Sequence, residues 1–542
     1  MAARSSRRSH RHASAAPVSQ GAGTLNVLCL AATIALAVVL TWISRDAVNP
    51  DGVAYLDLAR AMRMGRWSDA VQGYWSPLYS ALLAVAGPTI VTAHLVNGLA
   101  AIAGAWLLSR ALRRFMTSGD DDGSHIVRVA AAWGAYAVAV FVLVRLSAIT
   151  PDILLVVCLT GWATVLADGE NVRWGVAGAW LGAGFLAKTS LWPWLAVSTV
   201  LLLWLRPSLR QIRTLAHYLV PVSVGVLTWV APLSVKAGRP TLGVTGALNA
   251  CWYLRDCDSQ SPDTHRGTHV AYEKIALPRG DSITRVRFGD SVWTYAPWSD
   301  PDGWSRGVRS MASTPLTATR YAGIVARNVR VAAQYTLSYL VLGPLLALAL
   351  WHWRARRPWR PVTGLADPAL LLAACAGLGQ FLAVQAVTRT LAPFVMMCAA
   401  AVVFAPRVAT ARQTVARGWR AALVALPLVV ALVGTGRVAV YEQRLAALTP
   451  PYVEEMRTGT ERTSRGFPRR TVLVVGPALP LMPLAEELDA RIVAQVPPAS
   501  LPVLDALPPS ERGAALARAA AGAADVAWEV DANGRTRLTG LR

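Results

Sequence analysis

Long apolar segments constrain the fold of this chain more than any other feature. A transmembrane helix needs roughly 20 mostly apolar residues, and about eleven such segments follow one another along the 542 residues. Only 15% of the residues are charged, against about 25% in soluble domains. The sequence therefore predicts an α-helical integral membrane protein, and it excludes a disordered or collagen-like chain. The predicted spans are Thr24–Ile43, Ala93–Leu112, Ile126–Val144, Pro151–Ala167, Trp174–Ala187, Leu191–Leu205, Leu215–Val235, Val331–Trp351, Pro368–Val387, Leu391–Ala405 and Ala421–Val440.

The positive charge follows the pattern that orients membrane proteins. The formal net charge is +22, and cytoplasmic loops carry an excess of Lys and Arg. If the N-terminus is cytoplasmic, every second loop is cytoplasmic too, and these loops hold the basic residues. The charge therefore acts as an orientation signal, and nucleic acid is not expected as a partner. The basic residues concerned are Arg4, Arg7, Arg8, Arg11, Arg110, Arg113, Arg114, Arg173, Arg206, Arg210, Arg213, Arg354, Arg356, Arg357, Arg360, Arg407, Arg412, Arg417 and Arg420.

This orientation predicts a cytoplasmic tail, a membrane domain and three larger pieces that face outward. Residues 1–23 form a basic cytoplasmic tail, residues 24–440 the polytopic membrane domain, and residues 441–542 an extracytoplasmic C-terminal domain. Two outer loops interrupt the membrane domain, at residues 44–92 and 237–330. An odd number of spans places the C-terminus on the opposite side from the N-terminus.

The C-terminal residues predict a small α/β unit, because short β-branched runs alternate with helical segments around an Asn-Gly turn. The predicted strands and helices are Thr471–Val475, Leu481–Leu488, Ser510–Ala521, Val526–Val530 and Thr536–Leu538. Neither a GxGxxG nor a GxxxxGK[ST] pattern occurs there, so a phosphate-binding glycine loop is not predicted.

Cysteine usage predicts one disulfide at most. Four of the six cysteines lie in apolar runs, where they behave as small hydrophobic residues. Cys251 and Cys257 lie together in a polar stretch of the second outer loop. They would form a disulfide if that loop faces an oxidising compartment.

An acidic residue opens the first outer loop at the depth of the membrane surface. Asn49 is suited to cap a helix that starts with Pro50, which places Asp51 in the first turn. Asp51 then either complements the helix dipole or acts as a functional carboxylate. The helix that follows has Asp57, Arg60 and Arg63 on one side and apolar residues on the other, a pattern that predicts a helix in the membrane interface.

Three basic residues lie at predicted outer ends of spans, where the orientation rule predicts few positive charges. They are Arg145, Lys188 and Arg389. Each is either a snorkelling anchor or part of a functional site. Cations that hold a phosphate leaving group, together with a carboxylate that deprotonates an acceptor, are what transfer from a phosphate-linked substrate requires. Asp152 begins the next span, and we interpret it as a helix cap.

Several separated motifs resemble the C-type glycosyltransferases (GT-C), membrane enzymes that use polyprenyl-phosphate sugars and include protein O-mannosyltransferases and the lipid A aminoarabinose transferase. The long outer loop is similar to an uncharacterised bacterial branch of this superfamily. The resemblance covers Ser44 to about Ala405, and the C-terminal domain is outside it. The motifs are Asp51-Gly52-Val53-Ala54-Tyr55-Leu56-Asp57-Leu58-Ala59, Tyr74-Trp75-Ser76-Pro77-Leu78-Tyr79, Thr150-Pro151-Asp152, Gly184-Phe185-Leu186-Ala187-Lys188-Thr189, Arg389-Thr390-Leu391-Ala392-Pro393 and Tyr295-Ala296-Pro297-Trp298-Ser299-Asp300-Pro301.

The resemblance implies an inverting glycosyltransferase at the outer face of a bacterial inner membrane. The donor would be a polyprenyl-phosphate sugar, and the acceptor an unidentified envelope glycan, lipid or protein. Asp51 would be the general base. The substrate-binding residues would be Tyr55, Trp75, Arg145, Lys188 and Arg389.

One departure concerns the acidic residues of the first loop. Many relatives carry an acidic pair there, whereas Gly52 follows Asp51, so Asp46 or Asp57 would supply a second carboxylate, or one carboxylate suffices. No cofactor and no metal site are predicted, and metal dependence stays open.

Two other function classes remain compatible with the sequence. A lipid or sugar transporter or flippase would also place polar residues in a helical bundle, but the chain shows no internal repeat. A non-catalytic subunit that binds a lipid-linked sugar would need the same cations without a general base. An alanine at position 51 separates these classes, since only an enzyme would lose turnover and still bind the donor. The sugar, the acceptor and the polyprenol length do not follow from the sequence.

Overall fold

The computed structural model describes residues 20–116, 122–166, 168, 171–255, 270–277, 280–288, 293–301, 316–338, 368–403, 470–476, 478, 481–521, 524, 526–530 and 536–540. This part of the chain is mostly helical. The α-helices described before the C-terminal unit are α1 (Gln20–Ile43), α2 (Pro50–Arg63), α3 (Trp67–Ala70), α4 (Pro77–Ala86), α5 (Ile90–Phe115), α6 (Asp122–Ala137), α7 (Asp152–Leu166), α8 (Trp174–Ala187), α9 (Trp192–Leu205), α10 (Ile212–Ala237), α11 (Thr245–Leu254), α12 (Ala296–Ser299), α13 (Ala318–Ser338), α14 (Pro368–Leu382) and α15 (Thr388–Val403).

Within these described ranges, three helices are long and apolar enough to cross a membrane: α1, α5 and α10. Seven shorter apolar helical segments accompany them and lie in or beside the same buried core. Helices α1 and α10 expose large apolar side chains on their outer sides, such as Leu28, Trp42 and Val220. Contact of these side chains with water would cost free energy. A lipid bilayer removes this cost, so the chain is an integral membrane protein.

The observed helices follow the predicted spans closely where both are described. The span predicted at Trp174–Ala187 is α8 with the same bounds, and Leu191–Leu205 falls on α9, which a 3-10 turn at Thr189–Leu191 precedes. The span at Ile126–Val144 becomes α6 continued by a π-helical turn at Val138–Val144. The helix over the eighth predicted span, Val331–Trp351, begins earlier, at Ala318, and its later part lies outside the described residues, as does Ala421–Val440.

Helices α8 and α10 approach each other closely through glycines. A Cβ atom added at Gly225 would lie 2.6 Å from Gly182 Cα, and one added at Gly178 would lie 2.1 Å from the Tyr218 carbonyl oxygen. Small residues four positions apart are the usual means of bringing two membrane helices into backbone contact. This contact fixes α8, whose end carries Lys188.

The C-terminal residues form an α/β unit that includes strands from the second outer loop. The helices of the tail are α16 (Met482–Glu487), α17 (Leu501–Asp505) and α18 (Pro509–Ala520). The strands are β1 (Val270–Ala276), β2 (Ser282–Phe288), β3 (Arg470–Val475), β4 (Ala490–Val496), β5 (Val526–Val530) and β6 (Thr536–Gly540), and the described strands pair in the order β1-β2-β4-β3-β5-β6.

Pairing within this sheet is mixed. Strand β3 is parallel to both β4 and β5, whereas β1–β2, β2–β4 and β5–β6 are antiparallel. The tail strands and helices predicted from the sequence are present, but β4 and the hairpin β1–β2 were not predicted. Since β2 pairs with β4 only over Val286–Arg287 and Ala494–Gln495, the local sequence carries little signal for that junction.

Helix α2 packs under this sheet, a contact that the predicted interface helix did not include. One face of the sheet and α16 cover α2 through residues such as Val472, Val474 and Met482, while the other face of the sheet packs on α17 and α18. Ten of the 14 residues of α2 are buried, Asp57 among them. On its charged side, Asp57 and Arg60 therefore have partners in the outer loop and the α/β unit, whereas Arg63 is exposed. Its predicted place in the membrane interface stays a prediction.

Candidate functional site

Four charged side chains from four separate elements form a continuous chain of ion pairs. Arg389 Nη2 lies 2.5 Å from Asp51 Oδ2, and Arg389 Nε lies 3.6 Å from Asp152 Oδ2. Lys188 pairs with the other oxygen of Asp152. We call Asp51, Asp152, Lys188 and Arg389 the charge cluster. It joins the start of α2, the start of α7, the end of α8 and the start of α15.

Burial is graded across the charge cluster. The side chain of Asp152 is 2% exposed, those of Asp51 and Lys188 are 16% and 18% exposed, and that of Arg389 is 31% exposed. Asp152 thus forms the floor, where its carboxylate holds both cations. The other three side chains keep accessible surface, so an anionic ligand can reach the two cations and Asp51 together.

Backbone and side-chain hydrogen bonds fix the elements that carry the cluster. Asn49 was predicted to cap α2, but its side-chain oxygen accepts a hydrogen bond from the backbone N–H of Ile149, 2.9 Å away, and this ties Asp51 to the segment before Asp152. Ser76 Oγ accepts a hydrogen bond from the Thr189 N–H at 2.9 Å. This second contact joins the Tyr74-Trp75-Ser76-Pro77 motif to the residue after Lys188.

Tyr55 lies beside the charge cluster, and Trp75 packs against Tyr55. The Tyr55 ring meets Trp75 edge to face at a centroid distance of 5.1 Å and Tyr79 at 5.4 Å. Burial, followed by the Asp152 and Asp51 carboxylates, raises the pKa of Tyr55 well above its usual value. The Tyr55 hydroxyl therefore stays protonated and available as a hydrogen-bond donor beside the cluster.

The second carboxylate of the site comes from neither residue proposed for it. Asp46 is 77% exposed and pairs with Arg45. Asp57 is buried and accepts hydrogen bonds from the Thr294 N–H, Thr294 Oγ1 and Ser299 Oγ at 2.9, 2.8 and 2.6 Å. Burial and the nearby Glu486 carboxylate raise the pKa of Asp57 to about 6. Asp57 joins α2 to the outer loop, and Asp152 is the carboxylate that stands beside Arg389.

Arg145 lies at the end of the π-helical turn that continues α6, with a half-buried side chain. Its backbone has φ 67°, a left-handed value that L-residues other than Asn and Asp seldom adopt. The strained backbone marks the point where the chain leaves the bundle toward Asp152.

Sequence reasoning missed two features of this site. Asp152 was interpreted as a helix cap, and it does begin α7, but its ion pairs with Lys188 and Arg389 give it a second role. The aromatic residues Tyr74 and Tyr253 also border the cluster, since Asp51 and Arg389 both act on their hydroxyls. The motif Thr150-Pro151-Asp152 at an outer span end was the available signal for Asp152. No local pattern pointed to Tyr253.

Two further observations bear on metal and redox chemistry. Across the described ranges, no three His, Cys, Asp or Glu side chains come together in a way that could hold a metal ion. Cys251 is disulfide-bonded, as the sequence predicted, and Cys257 lies outside the described residues. Cys29, Cys158, Cys375 and Cys398 are free thiols.

Comparisons with known proteins give one structural similarity. No protein-family model matches the chain, and no curated protein matches its sequence. The chain is similar to the crystal structure of ArnT from Cupriavidus metallidurans bound to undecaprenyl phosphate, with 13% identity, a TM-score of 0.48 and coverage of 85% of each chain.

Proposed function

We propose that this protein is a glycosyltransferase of the GT-C kind, which moves a sugar from a polyprenyl-phosphate donor to an acceptor hydroxyl. The reaction would take place at the outer face of a bacterial inner membrane. The observation that carries the proposal is the charge cluster. Its two cations, Lys188 and Arg389, both pair with the buried Asp152, and Arg389 also pairs with the accessible carboxylate of Asp51. The motif resemblance of the sequence supports the same reaction class.

The donor phosphate would bind to Lys188 and Arg389. Both cations now face carboxylates, and the donor's phosphodiester brings two charged non-bridging oxygens that can compete for them. Asp152 is too buried to leave, so it would keep both side chains aimed at the phosphate. The polyprenyl chain is apolar, so it would lie in the bilayer beside the apolar helices.

Displacement of Arg389 from Asp51 would free this carboxylate to act as general base. The acceptor oxygen attacks the anomeric carbon opposite the phosphate, and the bond between this carbon and the phosphate oxygen breaks. The proton of the acceptor hydroxyl moves to Asp51, and the electron pair leaves with the polyprenyl phosphate, whose charge Lys188 and Arg389 stabilise. Attack from the opposite face inverts the anomeric configuration.

The test measures the affinity for undecaprenyl phosphate in nanodiscs. A charge-assisted hydrogen bond contributes roughly 1.5–3 kcal/mol, so Lys188→Ala and Arg389→Ala should each weaken binding by about 10- to 150-fold. Matched controls are Lys274→Ala on β1 and Arg327→Ala on α13, whose side chains are exposed. Wild-type affinity in both cluster variants would leave Lys188 and Arg389 as membrane anchors and would remove the basis of the proposal.

A further inference from the structure

Four aromatic rings from the two outer loops form a continuous group beside the charge cluster. Tyr74 and Trp75 belong to the first loop, and Trp252 and Trp298 to the second. The Tyr74 ring lies 4.7 Å from Trp75, 5.4 Å from Trp252 and 6.4 Å from Trp298, and the two second-loop tryptophans stack at 6.1 Å with 22° between their planes. We call these four residues the aromatic platform.

Polar contacts hold the platform together across the two loops. Trp75 Nε1 donates to the Trp298 carbonyl oxygen at 3.0 Å, and the Tyr74 hydroxyl donates to Asn249 Oδ1 at 3.3 Å. Thr245 Oγ1 donates to the carbonyl oxygen of Tyr74 at 2.9 Å. The rings are therefore fixed by their own backbone and loop partners, which is how a preformed binding surface is built.

The platform is contiguous with the charge cluster. Trp75 contacts Tyr55 at 5.1 Å, and Tyr55 is close enough to Asp51, Asp152 and Arg389 for their charges to act on its hydroxyl. Burial and then Asp51 also raise the pKa of Tyr74. A group bonded to a phosphate at Lys188 and Arg389, or a nucleophile at Asp51, would therefore meet these rings first.

Two polar atoms next to the platform are buried without a hydrogen-bond partner in the part of the chain that the structure describes. They are Trp298 Nε1, a donor, and Gln72 Oε1, an acceptor. The amide nitrogen of Gln72 is already used, since it donates to the Ser299 carbonyl oxygen at 2.6 Å. A buried polar atom that is left unpaired is costly, so a ligand with both hydroxyl donors and acceptors would complete this site.

We propose that the aromatic platform binds a sugar ring: C–H groups of the sugar stack on the rings, one sugar hydroxyl accepts a hydrogen bond from Trp298 Nε1, and another donates one to Gln72 Oε1. A polyprenyl tail would use the rings but would leave both polar atoms unpaired, and an ionised phosphate oxygen, which only accepts hydrogen bonds, would leave Gln72 Oε1 unpaired. The inference rests on the proposed function, which brings two saccharides to this place, the donor sugar and a glycan acceptor.

The experiment compares three kinds of ligand on one set of variants. The probes are undecaprenyl phosphate, undecaprenyl-phosphate mannose, and a panel of free trisaccharides built from glucose, mannose or arabinose. Binding is measured in nanodiscs, because maltoside detergents present sugars of their own. The variants are Trp252→Ala, Trp298→Ala and Trp298→Phe, and the control is Trp67→Ala, an exposed tryptophan of the first loop. Thermal unfolding checks that each variant is folded.

We expect Trp252→Ala and Trp298→Ala to weaken saccharide binding by about tenfold, a change that corresponds to roughly 1.4 kcal/mol, and to leave bare undecaprenyl phosphate unaffected. Trp298→Phe keeps the ring and removes the N–H, so it should lose less. If the variants abolish the preference for undecaprenyl-phosphate mannose over the bare lipid, the platform holds the donor sugar. If only the free trisaccharides bind more weakly, it holds the acceptor.

Two results would overturn the inference: no saccharide of either kind binds to the wild type, or the platform variants and Trp67→Ala bind the saccharides alike. Failure of the proposed function has a different signature, because the wild type would then not bind undecaprenyl phosphate at all.

Discussion

Arg389 pairs with a carboxylate that lies 338 residues earlier in the chain, and it also reaches Asp152, which begins another helix. A guanidinium group is suited to this position because it stays charged and offers several donors in one plane. Asp152 is almost fully buried, so removal of its charge would leave Lys188 without its carboxylate partner and Arg389 with Asp51 alone. Breaking a buried ion pair costs about 3–5 kcal/mol. The buried Asp152 therefore holds the two cations from below, while Arg389 keeps part of its side chain accessible.

At this scale, the sequence identified the residue types but not their partners. Asp51, Lys188 and Arg389 were selected because charges are rare at membrane depth, and all three lie in the cluster. The mutual ion pairs depend on the arrangement of four helices, which no local pattern encodes. For the same reason Asp152 was interpreted only as a cap.

Asp51→Asn tests the general base. The amide keeps the size and helix-start preference of Asp51 and cannot accept the acceptor proton, so transfer should fall by about 10²–10⁴-fold while undecaprenyl phosphate still binds. The measurement is incorporation of label from polyprenyl-phosphate sugars into envelope material, with the exposed Asp46→Asn as the matched control. Full transfer activity in Asp51→Asn would refute the assignment of Asp51 as general base, and another carboxylate would then have to take the proton.

At the scale of elements, α2 connects the site to the α/β unit. Asp51 opens this helix, Asp57 in its middle binds Thr294 and Ser299, and Arg60 pairs with Glu486 of α16. The two sides of α2 predicted a helix in the membrane interface, but no local pattern indicated the partners of Asp57 and Arg60. These partners belong to segments more than 200 residues away.

The linkage between pH and stability tests this role of Asp57. Its pKa is raised to about 6 in the folded protein, by burial first and then by Glu486, with Arg60 acting in the opposite direction, and it is about 3.9 in unfolded chains. The folded state therefore binds this proton more tightly. The stabilisation is fully present below about pH 4 and is lost as pH rises through about 6, a change of roughly 3 kcal/mol.

The measurement is the free energy of unfolding of the wild type relative to Asp57→Asn in detergent from pH 4 to pH 7. We expect the advantage of the wild type to shrink across this range. The surface variant Asp69→Asn, which loses a pairing with Arg66, should show no such trend. A constant difference for Asp57→Asn would contradict the burial of its carboxyl group between α2 and the outer loop.

At the scale of the whole molecule, apolar helices carry a site at one end, and a mixed sheet covers the helix that opens the site. The helix positions followed from hydropathy, because the bilayer imposes a length and a composition on every span. Strand β2 of the second outer loop pairs with β4 of the C-terminal unit, between residues more than 200 positions apart in the sequence, and such long-range pairing has no local signature. The domain boundaries at residues 23 and 440 stay predictions.

Membrane orientation is testable with introduced cysteines. Asp281→Cys, at the exposed turn between β1 and β2, should react with an impermeant reagent in intact cells, because the orientation rule places this loop outside. Ser208→Cys, at the exposed turn between α9 and α10, should react only after the membrane is opened. The four free cysteines are replaced by alanine beforehand. The opposite labelling pattern would invert the topology and place the charge cluster at the cytoplasmic face.

The most direct test of the central claim is an experimental density map of the protein with undecaprenyl phosphate bound. We expect the phosphate density to lie between Lys188 and Arg389, within hydrogen-bond distance of both, with the lipid chain running along the apolar helices. Lys188→Ala in the same lipid preparation should show this density weakened or absent. Phosphate density at arginines of the predicted cytoplasmic loops, such as Arg206 and Arg210, with an empty charge cluster, would contradict the proposed donor site.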